Sequence, residues 1–323
     1  VASFDPDNNR VTLEDGSEHS YDILVVAAGI QIDWHKIKGL KGNLGKNGLV
    51  SNYSWDHVES TWETLRNFRG GNAVFSYPAS PIKCAGAPQK IMYLTEHHLR
   101  RVGRRAGANV IYASATAGSF GVAKYKKSLD KIIAERNIQT HFGKNLVEVR
   151  PDEKKAGWED LNGGETLVLD YEMLHVVPPM SAPDFIKNSP LSDGSPLGYV
   201  DIDKHEMQHV RYPNVFSLGD SGNSPNSKTA AAVRKQAPVV VENILAFMQG
   251  RPLLLQHHTG ARTGTLRVAP LKYQGVGDSN AIIASKAGAP DNPDRNHNHN
   301  ANPGATLEVA TDTNEDTPPE ATR

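Results

Sequence analysis

A chain of 323 residues has room for about two domains and for a core that folds without disulfides. Its 35 Lys and Arg nearly balance 36 Asp and Glu, so a net charge of -1 provides no bulk attraction to nucleic acid or to an anionic membrane surface. The one cysteine, Cys84, rules out an internal disulfide and a Cys-rich metal centre but leaves a candidate nucleophile. The longest apolar run, Ile23 to Ile30, is far short of the roughly 20 residues that span a bilayer.

Taken in chain order, Val11–Leu13 and Ser20–Val26 are short apolar runs separated by the turn-forming Asp15-Gly16, the pattern of a hairpin. The chain opens on Val1 in strand-like sequence, which reads as a fragment of a larger fold. The second run ends in Ala27-Ala28-Gly29, where the lack of bulk admits another backbone or a flat ligand. Spacing of Val58, Trp62, Leu65 and Phe68 predicts a helix over 56–68. Strands at 73–76, 109–112, 138–142 and 174–177 then alternate with helices, one over 88–102 and one with Val122, Tyr125, Leu129 and Ile132 on one face. Such alternation implies βαβ units and a mostly parallel sheet.

Asn214–Leu218 reads as a buried strand running into Gly219-Asp220, and a helix is predicted from Ser227, its N-cap candidate, to Gln249, with Pro238 set to kink it. From about Ala289 the chain is polar and Pro-containing, and is expected to be disordered. The expected organisation is α/β with two Rossmann-like dinucleotide-binding domains, the first incomplete. Residues 1–70 and 191–250 belong to the first, 71–190 to the second, and 251–323 form a divergent tail.

Two constellations carry chemistry. Asp220 closes a buried strand at the edge where open α/β sheets bind ligands, and its carboxylate is suited to accept hydrogen bonds from sugar or ribityl hydroxyls. The helix beginning near Lys228-Thr229-Ala230-Ala231 would turn free amides toward an electron-rich ring. Cys84 lies in a tight loop between a strand and a helix, with Lys83 beside it and Lys90 further on; both the helix terminus and the lysines favour the reactive thiolate. Where a nicotinamide-binding domain would carry G-x-G-x-x-G, this chain has Tyr77-Pro-Ala-Ser-Pro-Ile-Lys-Cys84, whose side chains would crowd a pyrophosphate. The 13 histidines fall in no pattern that implies a metal, and no G-x-S-x-G elbow or P-loop occurs.

Lys83-Cys-Ala-Gly-Ala-Pro-Gln-Lys-Ile-Met-Tyr93, Tyr212-Pro-Asn-Val-Phe-Ser-Leu-Gly-Asp220 and Ser227-Lys-Thr-Ala-Ala-Ala-Val233 together resemble the mitochondrial type of sulfide:quinone oxidoreductase, over about Val1 to Gly250. The resemblance implies an FAD enzyme of the mitochondrial inner membrane. It passes electrons from sulfide to ubiquinone through a cysteine persulfide, whose sulfur goes to glutathione or sulfite. It also implies that Cys84 is the first of two redox cysteines, and that Val1, Asp220, Lys228, Thr229, Ala230 and Ala231 are FAD contacts. The second redox cysteine, the family's G-x-G-x-x-G turn and its amphipathic C-terminal helices have no counterpart in this sequence. A non-catalytic remnant on the same scaffold, or an NADH:quinone oxidoreductase of the same superfamily, is the alternative.

Overall fold

The computed structural model describes residues 1–250 in full. Beyond them it describes only the backbone of strands Leu254–Thr259, Leu266–Leu271, Tyr273–Val276, Ser279–Ile282 and Thr306–Val309. The expected disorder of the tail therefore falls mostly outside the described residues. The chain opens with β1 (Ser3–Asp5), β2 (Arg10–Thr12), β3 (Glu18–Ser20) and β4 (Leu24–Val26). Next come β5 (Gln31–Ile32), β6 (Leu49–Val50), α1 (Val58–Asn67), β7 (Gly71–Tyr77) and α2 (Ala87–Arg101). After these lie β8 (Ala108–Ser114), α3 (Ala123–Glu135), β9 (Gln139–Phe142), β10 (Lys144–Arg150), β11 (Lys155–Asp160) and β12 (Leu167–Asp170). The series ends with β13 (Met173–His175), β14 (Met180–Ser181), α4 (Asp184–Lys187), β15 (Val215–Ser217) and α5 (Ala230–Met248).

Two compact units share these elements. One comprises Ile30–Ser181 with Ser227–Thr229, and its centre is a parallel sheet in the order β6-β13-β7-β8-β9. Side chains alternate across its strands, and each face builds its own core. Ala73, Phe75, Val110, Tyr112 and Met173 pack under the helices with Leu65, Met92, Leu99 and Ile133. Val74, Ile111 and Leu174 pack on the opposite face against the antiparallel β10-β11-β12 sheet, which contributes Leu146, Val149, Ala156 and the fully buried Trp158. Being covered on both faces is what allows these strands to be apolar throughout. Residues 30–70, expected with the first domain, pack here: Ile37, Leu40 and Leu49 join the Trp158 core. Gly48 admits no side chain, because a Cβ would lie 2.1 Å from the Glu172 carbonyl oxygen.

The other unit comprises Val1–Gly29, Ala182–Asn226 and the chain from Ala230 onward. It holds an antiparallel β1-β2-β3 sheet and a parallel pair, β4 with β15, in the register Leu24↔Val215, Val25↔Phe216 and Val26↔Ser217. Against β15, α5 sets the Phe247 ring 6.5 Å from that of Phe216.

Four local expectations need correction. Ser20–Val26 is not one hairpin arm: Ser20 ends β3 opposite Arg10, whereas Leu24–Val26 crosses to β15, a pairing that local spacing does not encode. In α1, Thr61 and Leu65 are buried and Trp62 is 51% exposed, so the core-facing stripe is rotated from the one predicted. In α3 the buried residue is Ile133, while Val122 and Tyr125 are exposed. The final helix starts at Ala230 rather than after Ser227 and runs unbroken through Pro238, whose position is exposed so that water can replace the lost amide donor.

Candidate active site

The thiol is placed by a turn between β7 and α2. Pro81 and Pro88 bracket it, Gly86 is the residue before α2, and Pro88 sits in the first helical turn, where a missing N–H costs nothing. Cys84 takes φ +56°, the left-handed region that non-glycine residues rarely occupy. Two backbone bonds hold it there: its N–H donates to the Lys228 carbonyl at 2.8 Å, and its carbonyl accepts from Ala87 N–H at 2.8 Å. The residue is exposed.

The bond to Lys228 explains why the last helix starts late. Lys228, 7% exposed, lends its carbonyl to the cysteine turn, which keeps Ser227–Thr229 with this unit and out of α5. Cys84 and Lys228, expected at one site from separate motifs, are thus in direct backbone contact. Lys83 does not behave simply as the cysteine's neighbour, because its ammonium lies 5.9 Å from the centroid of the Tyr53 ring.

Three strand ends meet beneath this turn. After β6, the Ser51 hydroxyl donates to the Val176 carbonyl at 2.7 Å, and Asn52 N–H donates to His175 Nε2 at 3.1 Å. At the end of β7, the Ser76 hydroxyl accepts from Val177 N–H at 2.9 Å, and beyond the strand Ser80 Oγ accepts from Met180 N–H at 2.9 Å. Lys83 N–H points to Met180 Sδ at 3.4 Å, over an apolar floor of Ile82, Val177 and Met180. Burial pushes His175 down to about 4, so the ring is neutral; with Nε2 accepting, the proton is on Nδ1.

In the other unit, β15 ends in a turn at Gly219–Ser221 that leaves Asp220 half-buried. Ser217 and Ser221 hydroxyls both donate to the Val26 carbonyl, at 2.8 and 3.1 Å, and so fasten the ends of β4 and β15. Gly219, at φ +75°, donates its N–H to Gln236 Oε1 at 2.8 Å; Gln236 Nε2 in turn donates to Ser224 Oγ at 3.2 Å and Asn226 Oδ1 at 3.1 Å. Ala230 and Ala231 are exposed at the start of α5, and Val1 is exposed beside Ala2, whose N–H donates to the Thr12 carbonyl. Sequence reasoning missed Gln236, Tyr53 and His175. Gln236 left a signal, since it is a polar residue sharing the buried stripe of α5 with Val240 and Asn243.

A parallel sheet with a thiol turn at its carboxyl edge, and a Gly-Asp turn on a separate unit, belong to an α/β architecture whose fold is that of the disulfide-reductase-like flavoproteins. Solved structures agree on that fold: the sulfide:quinone oxidoreductase of Aquifex aeolicus matches with a TM-score of 0.67 at 20% identity, covering 80% of this chain and 62% of that one. The water-forming NADH oxidase of Lactobacillus brevis matches with 0.53 at 14% identity, covering 84% and 66%. The chain is a homologue of mitochondrial sulfide:quinone oxidoreductase: it is 49% identical to that protein of Mus musculus over 255 residues, 78% of this chain and 56% of its relative. It therefore spans little more than half the length of that relative. A second family, F420H(2)-dependent quinone reductase, matches residues 227–322.

Proposed function

We propose that this chain oxidises sulfide at Cys84, with FAD as cofactor, ubiquinone as electron acceptor and a small sulfur acceptor, glutathione or sulfite, as co-substrate. The observation that carries this reading is the exposed Cys84 thiol, held in a left-handed turn at the carboxyl edge of a parallel sheet. Active sites of open α/β sheets lie at that edge.

The residues fit a flavin. Gly219 leaves the Asp220 turn without a side chain that would approach Val233, Asp220 offers a carboxylate to ribityl hydroxyls, and Ala230 and Ala231 keep the start of α5 low. The family resemblance suggests Lys228, Thr229 and, on the adenine side, Val1 as further contacts. Bound FAD supplies a two-electron acceptor. At the protein, hydrosulfide and the Cys84 thiolate join in an S–S bond, releasing one proton and two electrons and leaving a Cys84 persulfide. Attack by sulfite or glutathione thiolate on the outer sulfur then transfers that sulfur and restores the thiolate. With one cysteine in the 323 residues, the proposal takes this external attack as the route back to the thiolate. The names of the mouse and Dictyostelium relatives support a mitochondrial setting, and the family resemblance suggests the inner membrane.

The test is sulfide added anaerobically to the chain reconstituted with FAD, with and without sulfite. Bleaching of the flavin, one added sulfur on Cys84 by mass spectrometry, and quinone reduction that continues only with the acceptor are expected. Equal bleaching in Cys84→Ser would refute the reading.

A second activity is favoured by the match at residues 227–322: quinone reduction with F420H(2) as the hydride donor. Oxidation of F420H(2) by a soluble quinone, unaffected by Cys84→Ser, would establish it; no oxidation above the protein-free rate would remove it.

A further inference from the structure

The geometry points to Tyr53 as the positioning residue of the Cys84 turn, acting through the peptide that precedes the cysteine. This rests on the reading of Cys84 as the sulfur-accepting thiol. Tyr53 follows β6, at the same carboxyl edge of the sheet as the turn it serves. Its hydroxyl donates to the Lys83 carbonyl at 3.2 Å, and its ring carries the Lys83 ammonium at 5.9 Å. Both contacts act on the residue directly before Cys84. Tyr53 is itself anchored: its N–H donates to Ser51 Oγ at 3.2 Å, Ser51 is fixed to Val176, and the ring packs on the Ile82, Val177 and Met180 floor.

The need for such a residue follows from the backbone. A left-handed non-glycine residue is disfavoured by roughly 1–2 kcal/mol, so the turn relaxes unless neighbours hold it. The Cys84 amide is held by Lys228; the Lys83 carbonyl, on the same peptide unit, is held by Tyr53. One peptide is therefore clamped from both ends, by a donor on its oxygen and an acceptor on its nitrogen. Burial, followed by the neighbouring Cys84, raises the Tyr53 phenol above its ordinary value, so the hydroxyl is protonated at neutral pH and can donate. The Tyr53 ring also offers its face to the Lys83 ammonium, on the residue before the thiol.

The experiment uses the full chain without added flavin. Amide hydrogen exchange is followed at Cys84 in wild type, in Tyr53→Phe, which loses the hydroxyl and keeps the ring, and in Tyr53→Leu, which loses both. A lost hydrogen bond corresponds to roughly 2- to 10-fold faster exchange. That acceleration is expected at Cys84 in Tyr53→Phe, and more in Tyr53→Leu, with the amides of β7 and β8 unchanged. No change at Cys84, or equal acceleration throughout β7 and β8, overturns the positioning role. Reaction of the sole thiol with an aromatic disulfide reagent separates this from the reading beneath it. An inert wild-type thiol removes the function proposed for Cys84, whereas a reactive thiol with unaltered Cys84 exchange in Tyr53→Phe removes only the role of Tyr53.

Discussion

Glu96 offers the most informative single perturbation of the thiol-bearing unit. It lies on α2, its side chain is 0% exposed, and it gathers three guanidinium groups: Arg100 at 2.6 Å, Arg136 at 2.9 Å and Arg105 at 3.4 Å. Arg136 is the C-cap of α3 and Arg105 lies in the turn before β8, so one carboxylate joins three segments. Breaking a buried ion pair from one side costs about 3–5 kcal/mol when the abandoned charge stays buried. Here the abandoned side chains are 55%, 33% and 19% exposed and regain water, and the amide of Glu96→Gln still accepts one hydrogen bond. The expected cost is therefore about 2–3 kcal/mol. Burial alone would raise the Glu96 carboxyl, but the hydrogen bonds and charges of Arg100 and then Arg136 outweigh it and hold the group below its ordinary 4.5. A depressed carboxyl stabilises the fold above its unfolded value, and that contribution disappears as pH falls through the folded one. Glu96→Gln should thus lose its stability at neutral pH and show a flatter profile below about 4.5. Urea unfolding read by tryptophan fluorescence is the assay, since Trp34, Trp55, Trp62 and Trp158 all belong to this unit. At about 2 kcal/mol per molar the midpoint should fall by roughly 1–1.5 M. A shift equivalent to under about 0.5 kcal/mol, the range of a surface pair, would refute the argument.

Three further outcomes are expected. His175, neutral in the fold with its value lowered from 6.5 to about 4 by burial, makes stability decline as pH falls between those values by about 3 kcal/mol, and His175→Gln should flatten that slope in urea melts at pH 7 and 5. Cys84→Gly should abolish the titratable thiol while raising stability by about 1 kcal/mol, because glycine takes φ +56° without penalty; a loss of stability would show that the turn is not strained. Gln236→Leu withdraws the acceptor from Gly219 N–H and should cost about 1–3 kcal/mol by circular dichroism, with flavin affinity falling at least tenfold if the Asp220 turn binds FAD.

Residues that act through local patterning were legible in the sequence. The turn between a strand and a Pro-containing helix start placed Cys84, and the β-branched runs at 73–76 and 109–112 fall inside β7 and β8. Patterning did not reveal partners remote along the chain. Leu24–Val26 pairs with residues about 190 positions away, and Ser227–Thr229 stays out of α5 because the Lys228 carbonyl is taken by Cys84. Trp62 looked like core by size and spacing, yet its ring stands edge-on to His98 at 5.1 Å on the surface while the smaller Thr61 goes inside. Helical spacing gives the width of an apolar stripe, but the neighbouring helix decides which part of it is covered.

The thiol's position depends chiefly on the register of the sheet. Val74 faces Leu174 and Phe75 faces His175, and from there each chain runs only a few residues before Ser76 meets Val177 and Ser80 meets Met180. A slip of one residue between β7 and β13 would exchange the two faces, sending Phe75 toward Trp158 and breaking both serine contacts. The serines do more than satisfy buried amides: each converts strand register into a fixed height of the turn above the sheet. A substitution deep in either core should therefore alter Cys84 only if it shifts that register. Volume changes that leave the register intact should lower stability and leave the exchange of the Cys84 amide relative to its neighbours unchanged.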